Sequence, residues 1–368
     1  YSFGLSAESL SLYDNAIKYF EEAKKLAKRL KQKYFIVDTL LRLGFINEKI
    51  GKERRALTFN QEALLLSKEL NNDVEKIKCF NSLGNFYYLQ RKWLLALKQY
   101  EKALILAKDI QYKFGEASSL IGIGDITFNR GDYKKAFNYF KQSLKLFQAI
   151  NNETSEAMVL GSIAVLYFNK DRYQKSKEYL EMSLKMYQKL GVQSSKIGSI
   201  GNLGPIYEVQ GEFKEALKFY QKGINQKDVG AKMFSLSKIG HNLQQQGKLK
   251  EAYEYYQQSL ELISKIEKPS HKAGLLGVLG TYYLAKKKYS KAQENFEEAL
   301  KIGKDIGIPK VEATQLGYLG ELYLEQGELE KAKAYFEEAL PIFQRIESRR
   351  GELEQLNNLG RYHLEKGE

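Results

Sequence analysis

The sequence predicts an all-α fold, a right-handed α-solenoid of stacked antiparallel helix pairs, and three observations support this prediction. A small residue recurs along the whole chain at a nearly constant interval, and apolar residues follow it at helical spacing rather than in strand-like alternation. The 368 residues exceed what one compact core usually holds, yet no proline- or serine-rich linker divides them. An elongated array of repeats therefore explains the chain better than separate globular domains.

The recurring small residue, called the marker here, is a glycine in all repeats but one. Successive markers lie 40 residues apart, except for one interval of 36 residues between Gly204 and Gly240. The markers are Gly4, Gly44, Gly84, Gly124, Ala164, Gly204, Gly240, Gly280, Gly320 and Gly360. This spacing predicts about ten copies of one structural unit.

Each repeat reads as two helices, A and B. Helix A contains the marker and often ends at a glycine: Gly51, Gly131, Gly211, Gly247 and Gly327. Helix B has a small residue twelve positions after the marker and usually an aromatic residue four positions later, as in Ala292 and Phe296. The small residues let the two helices approach closely, and the aromatic rings fill the space beside them. Neither helix buries its apolar face alone, so neighbouring repeats are expected to stack.

These residues carry a resemblance to a known family. The segments LGFINEKIGKERRAL (43–57) and LGELYLEQGELEKAK (319–333) share Leu-Gly, a turn and an alanine twelve positions on, and NSLGNFYYL (81–89) shows the strongest match. The pattern resembles the tetratricopeptide repeat family, in the 40-residue variant of Leu-Gly-Asn-repeat adaptors and of many bacterial regulatory proteins. The resemblance implies a helical scaffold that binds proteins, without naming the partner.

The repeats predict a single array over residues 1–368, with partial repeats at 1–33 and 350–368 and complete repeats over about 34–349. Both ends fall inside a repeat, where an unpaired apolar face is expected. We therefore expect the chain to be one part of a larger regulatory or signalling protein.

The array is irregular around residues 190–235. Pro205 follows its marker inside helix A, where a proline removes a backbone hydrogen bond, and its repeat is four residues short. The preceding repeat replaces the marker glycine by Ala164, the turn glycine by Asp171 and the aromatic residue by Leu180. These departures predict a hinge at Pro205, with neutral drift as the alternative.

The sequence argues against catalysis, metal binding and a cofactor. The three histidines fall in separate repeats, and no metal-binding or nucleophile motif accompanies them. Cys79 lies in an apolar context and has no second cysteine to pair with, which fits a reducing compartment. No apolar run approaches the roughly 18 residues of a membrane span. We therefore expect a cytoplasmic protein that is not an enzyme and does not bind a membrane.

Polar residues follow one another on the side of helix A opposite the core stripe. This predicted concave row consists of Asn81, Asn85, Asp125, Asn129, Asn169, Asn202, His241 and Gln245. Amide side chains both donate and accept hydrogen bonds, which suits recognition of an extended or helical peptide. The aromatic residues Tyr88, Phe128 and Phe168 flank the row and are interpreted either as anchor pockets for a ligand or as packing between helices.

The preferred prediction is a scaffold or sensor that binds a protein or peptide along the concave groove, and the alternative is nucleic-acid binding. Residues 1–266 carry 42 Lys and Arg against 28 Asp and Glu, whereas residues 267–368 carry 16 against 17. The lysines fall mainly on helix B and turns, away from the concave row. A third possibility is a sensor whose superhelical pitch changes when a peptide binds.

Overall fold

The computed structural model describes residues 13–191, 203–224, 229–263 and 269–367. These residues form eighteen helices and no strand. The helices are α1 (Tyr13–Arg29), α2 (Lys33–Lys49), α3 (Glu53–Glu69), α4 (Asp73–Leu89), α5 (Trp93–Asp109), α6 (Lys113–Asn129), α7 (Tyr133–Ala149), α8 (Glu153–Asn169), α9 (Tyr173–Lys189), α10 (Leu203–Val209), α11 (Phe213–Ile224), α12 (Val229–Gln245), α13 (Leu249–Ile263), α14 (Pro269–Ala285), α15 (Tyr289–Ile306), α16 (Pro309–Glu325), α17 (Leu329–Arg345) and α18 (Arg349–Lys366). Even-numbered helices are A helices and odd-numbered helices are B helices, so the predicted all-α repeat architecture is confirmed.

Short turns of constant geometry join the helices. The central turn residue has a positive φ every 20 residues over 31–211 and again at 247, 287, 307, 327, 347 and 367. The left-handed conformation favours glycine, and all five turn glycines predicted to end helix A have it. Backbone hydrogen bonds close these turns, as between Lys92 N and Tyr87 O at 2.9 Å. One helix and one turn therefore span 20 residues, which is half of the 40-residue period.

In six of the described repeats the marker glycine is required because the aromatic ring of helix B lies against it, whereas Gly44 faces the side chain of Asn60. A Cβ atom placed on Gly124 would lie 2.6 Å from Cε1 of Phe140, and one on Gly240 would lie 2.6 Å from Cε1 of Tyr256. Both rings are fully buried. Ala164 replaces the marker glycine in a repeat that also lacks the aromatic ring. Leu180 stands in place of the ring and packs in the same core cluster as Ala164, so the methyl group of Ala164 has room.

Small side chains of helix B also bind helix A directly. The Ser143 hydroxyl donates to the Ala117 carbonyl at 2.9 Å, and Ser183 donates to Ala157 at 2.7 Å. The same bond recurs between Ser259 and Met233 at 3.0 Å. These bonds are buried and join residues 26 positions apart, so they fix the two helices of a repeat in one register.

The chain divides into two compact units. The first contains residues 1–126 and 138–153, and the second contains residues 127–137 and 154–368. Pro205 lies in the second unit and is buried, in contrast to the exposed Asn85 that follows the marker Gly84. Residues 192–202 and 225–228 lie outside the described part of the chain, so the hinge at Pro205 stays a prediction.

Candidate functional site

In the first unit, the predicted concave residues are engaged by neighbouring side chains. Asn81 accepts a hydrogen bond from Ser119 Oγ of the next repeat at 2.9 Å. The exposed Asn85 accepts one from the Tyr100 hydroxyl at 2.6 Å. Burial raises the pKa of the half-buried Asp125 carboxyl to about 7. The row therefore contains one carboxyl group that titrates near neutral pH.

The three predicted aromatic anchors share one packing arrangement. Tyr88 lies edge-on to Trp93, with ring centroids 5.4 Å apart. In the second unit, Phe128 pairs with Tyr133 at 5.3 Å and Phe168 pairs with Tyr173 at 5.4 Å. In each case the partner is the first residue of the following B helix. Packing between helices thus accounts for one side of each ring, and a role in ligand binding stays a prediction.

Of the asparagines predicted in the second unit, Asn169 and Asn129 are half-buried at the ends of their A helices. The Asn169 amide donates to the Val165 carbonyl at 2.8 Å, within the same helix. Asn202 lies outside the described residues. The Asn169 amide is therefore engaged within its own helix, and the binding role of the asparagines stays a prediction.

A buried carboxylate organises the inner face of the second unit. Glu208 Oε1 lies 2.7 Å from His241 Nδ1, and Glu208 Oε2 accepts a hydrogen bond from the Tyr220 hydroxyl at 2.9 Å. Burial alone raises the pKa of Glu208, but the His241 hydrogen bond, the charge of Lys238 and the Tyr220 hydroxyl outweigh it and leave the pKa below its usual value. Since an ionised carboxylate only accepts, His241 donates through Nδ1, and its Nε2 faces Gln245 at 3.4 Å.

The next repeat continues this polar surface. The Tyr256 hydroxyl reaches through the core and donates to Gln244 Oε1 at 2.8 Å. The amide of Gln244 then donates to Thr281 Oγ1 of the following repeat at 3.2 Å. A chain of hydrogen bonds thus connects the A helices α12 and α14, on the side of the repeats where Glu208 and His241 lie.

Two ionisable groups of helix α16 sense the charge of these residues. Burial lowers the pKa of Lys310, the Asp171 carboxylate opposes this shift, and the charges of Arg350 and Lys238 add to it. Burial raises the pKa of Tyr318, and the carboxylates of Glu321 and Glu208 act in the same direction. We call the four residues that contact one another the inner-face cluster: Glu208, Lys238, His241 and Gln245.

The sequence pattern indicates His241 and Gln245 but not Glu208 and Lys238, the other two members of the cluster. Glu208 stands four residues after its marker, where the three repeats directly before it have Tyr88, Phe128 and Phe168. The change from an aromatic residue to a carboxylate distinguishes Glu208 from these three, although Glu48 stands at the same position of an earlier repeat.

The cluster is suited to recognition by hydrogen bonds and charge. Its groups include a cation in Lys238, the second ring nitrogen of His241 and the exposed amide of Gln245, all on one A helix. Within the described residues, no group of three or more His, Cys, Asp or Glu side chains is placed to hold a metal ion.

Stacked helix pairs with a polar inner face define a helical-repeat protein with a candidate binding groove. A tetratricopeptide repeat model matches residues 77–149, 233–305 and 311–368, which make up more than half of the chain. Two other tetratricopeptide repeat models match residues 157–190 and 1–29. The chain therefore belongs to the tetratricopeptide repeat family, as its sequence pattern indicated.

Several solved structures are similar, whereas no curated protein matches. The Rap conjugation gene regulator of plasmid pLS20, in complex with the Phr* peptide, is 14% identical with a TM-score of 0.64, over 93% of this chain and 96% of that chain. NprR in complex with its cognate peptide NprX is 17% identical with a TM-score of 0.63, over 85% and 89%. The apo form of the quorum sensor NprR from B. thuringiensis is 17% identical with a TM-score of 0.59, over 92% and 98%. At these identities the likeness shows the fold alone.

Proposed function

We propose that this protein is a peptide-binding scaffold or sensor whose A helices hold a peptide or a segment of another protein. The observation that supports this most is the inner-face cluster, in which Glu208 orients His241 beside Lys238 and Gln245 on a half-buried surface. A carboxylate that fixes the orientation of a histidine beside a lysine and an amide suits recognition of hydrogen-bonding groups.

The chemistry of the cluster matches what a peptide offers. A peptide backbone presents N–H donors and C=O acceptors in alternation, and its side chains or termini add charge. The His241 ring offers its second nitrogen, the Gln245 amide both donates and accepts, and Lys238 donates. Because these groups lie on a preformed helix, ordering them for a ligand costs little conformational entropy.

The similar structures support the same proposal at the level of fold. Rap of pLS20 was determined in complex with the Phr* peptide, and NprR with its cognate peptide NprX. Both share this helical-repeat fold over most of the chain. A scaffold of this kind is therefore able to hold a peptide, and the residues that would do so in this protein are those of its own cluster.

The proposal assigns no catalytic step to the protein. Burial raises the pKa of the Cys79 thiol to about 12, so this cysteine is not a nucleophile at neutral pH. No helix of the described residues has the length and apolar character needed to cross a membrane. We place the protein in the cytoplasm, where an unpaired cysteine stays reduced.

Affinity capture from an extract of the source cells tests the proposal. The wild type is compared with the inner-face variant His241→Ala/Gln245→Ala and with the control variant Glu294→Ala/Lys301→Ala, whose residues are exposed on the B helix α15. Peptides and proteins in the eluates are identified by mass spectrometry, and circular dichroism verifies that each variant folds.

We expect a peptide or protein that the wild type and the control variant retain and the inner-face variant loses. Equal capture by all three proteins would contradict the proposal. The extract is also treated with nuclease, because capture that depends on nucleic acid would support the alternative suggested by the basic residues 1–266.

A further inference from the structure

The turn between helices α8 and α9 contains an acidic residue. Asp171 occupies the central turn position where Gly131, Gly211 and Gly327 stand in other repeats, and it adopts the same left-handed backbone with φ of 56°. Residues with a Cβ atom disfavour this conformation. Arg91 and Lys287 adopt it at the same position of other repeats, so the side-chain contacts of Asp171 are what distinguish this turn.

The Asp171 carboxylate binds a helix that follows it by 177 residues. Its Oδ2 accepts hydrogen bonds from Ser348 Oγ at 3.0 Å and from the Arg350 backbone N–H at 2.8 Å. Its Oδ1 accepts one from the Tyr173 hydroxyl at 2.9 Å. Ser348 is also the N-cap of α18, since its hydroxyl accepts from Gly351 N at 3.4 Å. Asp171 therefore acts as a second, long-range cap at the positive end of this helix.

Neighbouring residues of the same turn extend the contact. Lys170 forms a salt bridge with Glu347 at 2.5 Å, and the Asn169 carbonyl accepts from Lys310 Nζ at 3.5 Å. An apolar contact lies beside them, because a Cβ atom on Gly131 would stand only 2.6 Å from Cγ2 of Ile346. All these residues belong to the second unit, which thus closes on itself.

The contact is made in a way that permits release. It joins turns, and the Glu347 side chain in its salt bridge is 53% exposed, whereas Ser348 and Ile346 are buried. A cleft of about 980 Å³ opens beside it, lined by Lys170, Arg172, Glu347 and Arg349 among other polar residues. Hydrogen bonds and ion pairs that water and salt reach are weak individually and open locally.

We propose that Asp171 is the centre of a latch, which we define as the hydrogen bonds and the salt bridge between the turn 169–173 and the turn 346–350. The latch holds the second unit closed. Opening the latch also frees Lys310 from the carbonyl of Asn169, a residue of the predicted concave row. The latch therefore couples closure of the second unit to the arrangement of that row. Its existence is testable without a ligand, so it stands or falls separately from the proposed function.

The test uses two glycine substitutions at equivalent turn positions. Asp171→Gly removes the carboxylate and relieves the left-handed strain, whereas Lys287→Gly relieves the same strain at a turn residue with φ of 55° whose backbone hydrogen bond is local. Hydrogen exchange of the Arg350 amide reports the bond directly, and small-angle scattering reports the closure.

We expect Asp171→Gly to speed exchange of the Arg350 amide by about tenfold or more, as for the loss of a charge-assisted hydrogen bond, and to increase the radius of gyration. Lys287→Gly is expected to leave both unchanged. Equal exchange in the wild type and Asp171→Gly would overturn the proposal, and so would faster exchange with an unchanged scattering profile, because the bond would then only cap a helix.

A charge exchange keeps the proposal testable if Asp171→Gly fails to fold. Lys170→Glu and Glu347→Lys each place like charges together and are expected to increase the radius of gyration, whereas the double variant restores the opposite pair and the closed dimension. A double variant as expanded as the single variants would contradict the latch.

Discussion

Gly84 lies directly against the ring of Tyr100, because a Cβ atom on this glycine would stand 2.5 Å from Cε1 of the ring. Real Cβ atoms do not approach other atoms this closely, so either the ring or the helix would have to move. Gly122 of the next repeat faces the same ring. The two glycines thus enclose Tyr100 from successive A helices, which is how one aromatic residue joins two repeats.

Gly84→Ala is therefore expected to destabilise the protein by about 1–3 kcal/mol, the usual cost of overpacking a well-packed core. Gly274→Ala is the matched control, since Gly274 also lies within an A helix but has no atom within 4 Å of its Cβ position. The control is expected to gain up to about 1 kcal/mol from the higher helix propensity of alanine. Urea denaturation followed by circular dichroism measures both, and equal effects would contradict the packing role of the marker.

Ala164 and Leu180 are expected to be energetically coupled. Leu180→Phe alone places a ring against the methyl group of Ala164 and is expected to destabilise by about 1–3 kcal/mol. In Ala164→Gly/Leu180→Phe the ring meets a glycine, as Phe140 meets Gly124. The double variant should be more stable than the sum of its single variants predicts, by about 1 kcal/mol or more, in a double-mutant cycle. Additive effects would show that marker and ring are independent.

The repeat architecture was predictable from sequence because local sterics determine it. Gly124 and Phe140 lie within one helical hairpin, so their relationship repeats with each copy and stands out against the variable positions. The left-handed turn at Gly131 is likewise a local property of the backbone.

The latch and the candidate site were only partly predictable, because both depend on contacts between residues that are distant in the sequence. The contact of Asp171 with Ser348 spans 177 residues, and no local periodicity predicts which turns meet. The sequence shows that Asp171 departs from the turn pattern, and the three-dimensional contact supplies the explanation. Glu208 is partly predictable. Its position in the repeat is visible in the sequence, whereas its hydrogen bonds with Tyr220 and His241 are not.

Asp125 is expected to make the stability of the first unit depend on pH. Burial raises the pKa of this carboxyl from 3.8 in the unfolded chain to about 7. Between these values the unfolded state loses its proton while the folded state keeps it, so the free energy of unfolding falls as pH rises from about 4 to about 7. The slope is at most about 1.4 kcal/mol per pH unit.

Asp125→Asn is expected to remove this slope and to be more stable than the wild type above pH 7, in urea denaturation repeated across pH. Asp132→Asn is the control of opposite sign. Burial opposes but does not outweigh the hydrogen bonds from Lys135 that lower the pKa of Asp132, so its contribution is lost only below about pH 4. Parallel curves for Asp125→Asn and the wild type would contradict the raised pKa.

Tyr220 and Tyr256 permit a matched test of the Glu208 carboxylate. Both rings are fully buried at the same position of successive repeats, and both hydroxyls donate to the residue four positions after the marker. The acceptor is an ionised carboxylate for Tyr220 and the neutral amide of Gln244 for Tyr256. A charged acceptor makes a hydrogen bond roughly twice as strong, so Tyr220→Phe should cost about 2 kcal/mol and Tyr256→Phe about 1 kcal/mol.

The background variant Glu208→Gln identifies the cause of this difference. In that background the Tyr220 hydroxyl also meets a neutral amide, so the cost of Tyr220→Phe should fall to that of Tyr256→Phe. If instead Tyr220→Phe keeps its full cost in this background, the loss arises from ring packing, and the Glu208 carboxylate would not organise the inner face. Because the same carboxylate holds His241, the coupling energy also measures how firmly the proposed binding surface is preorganised.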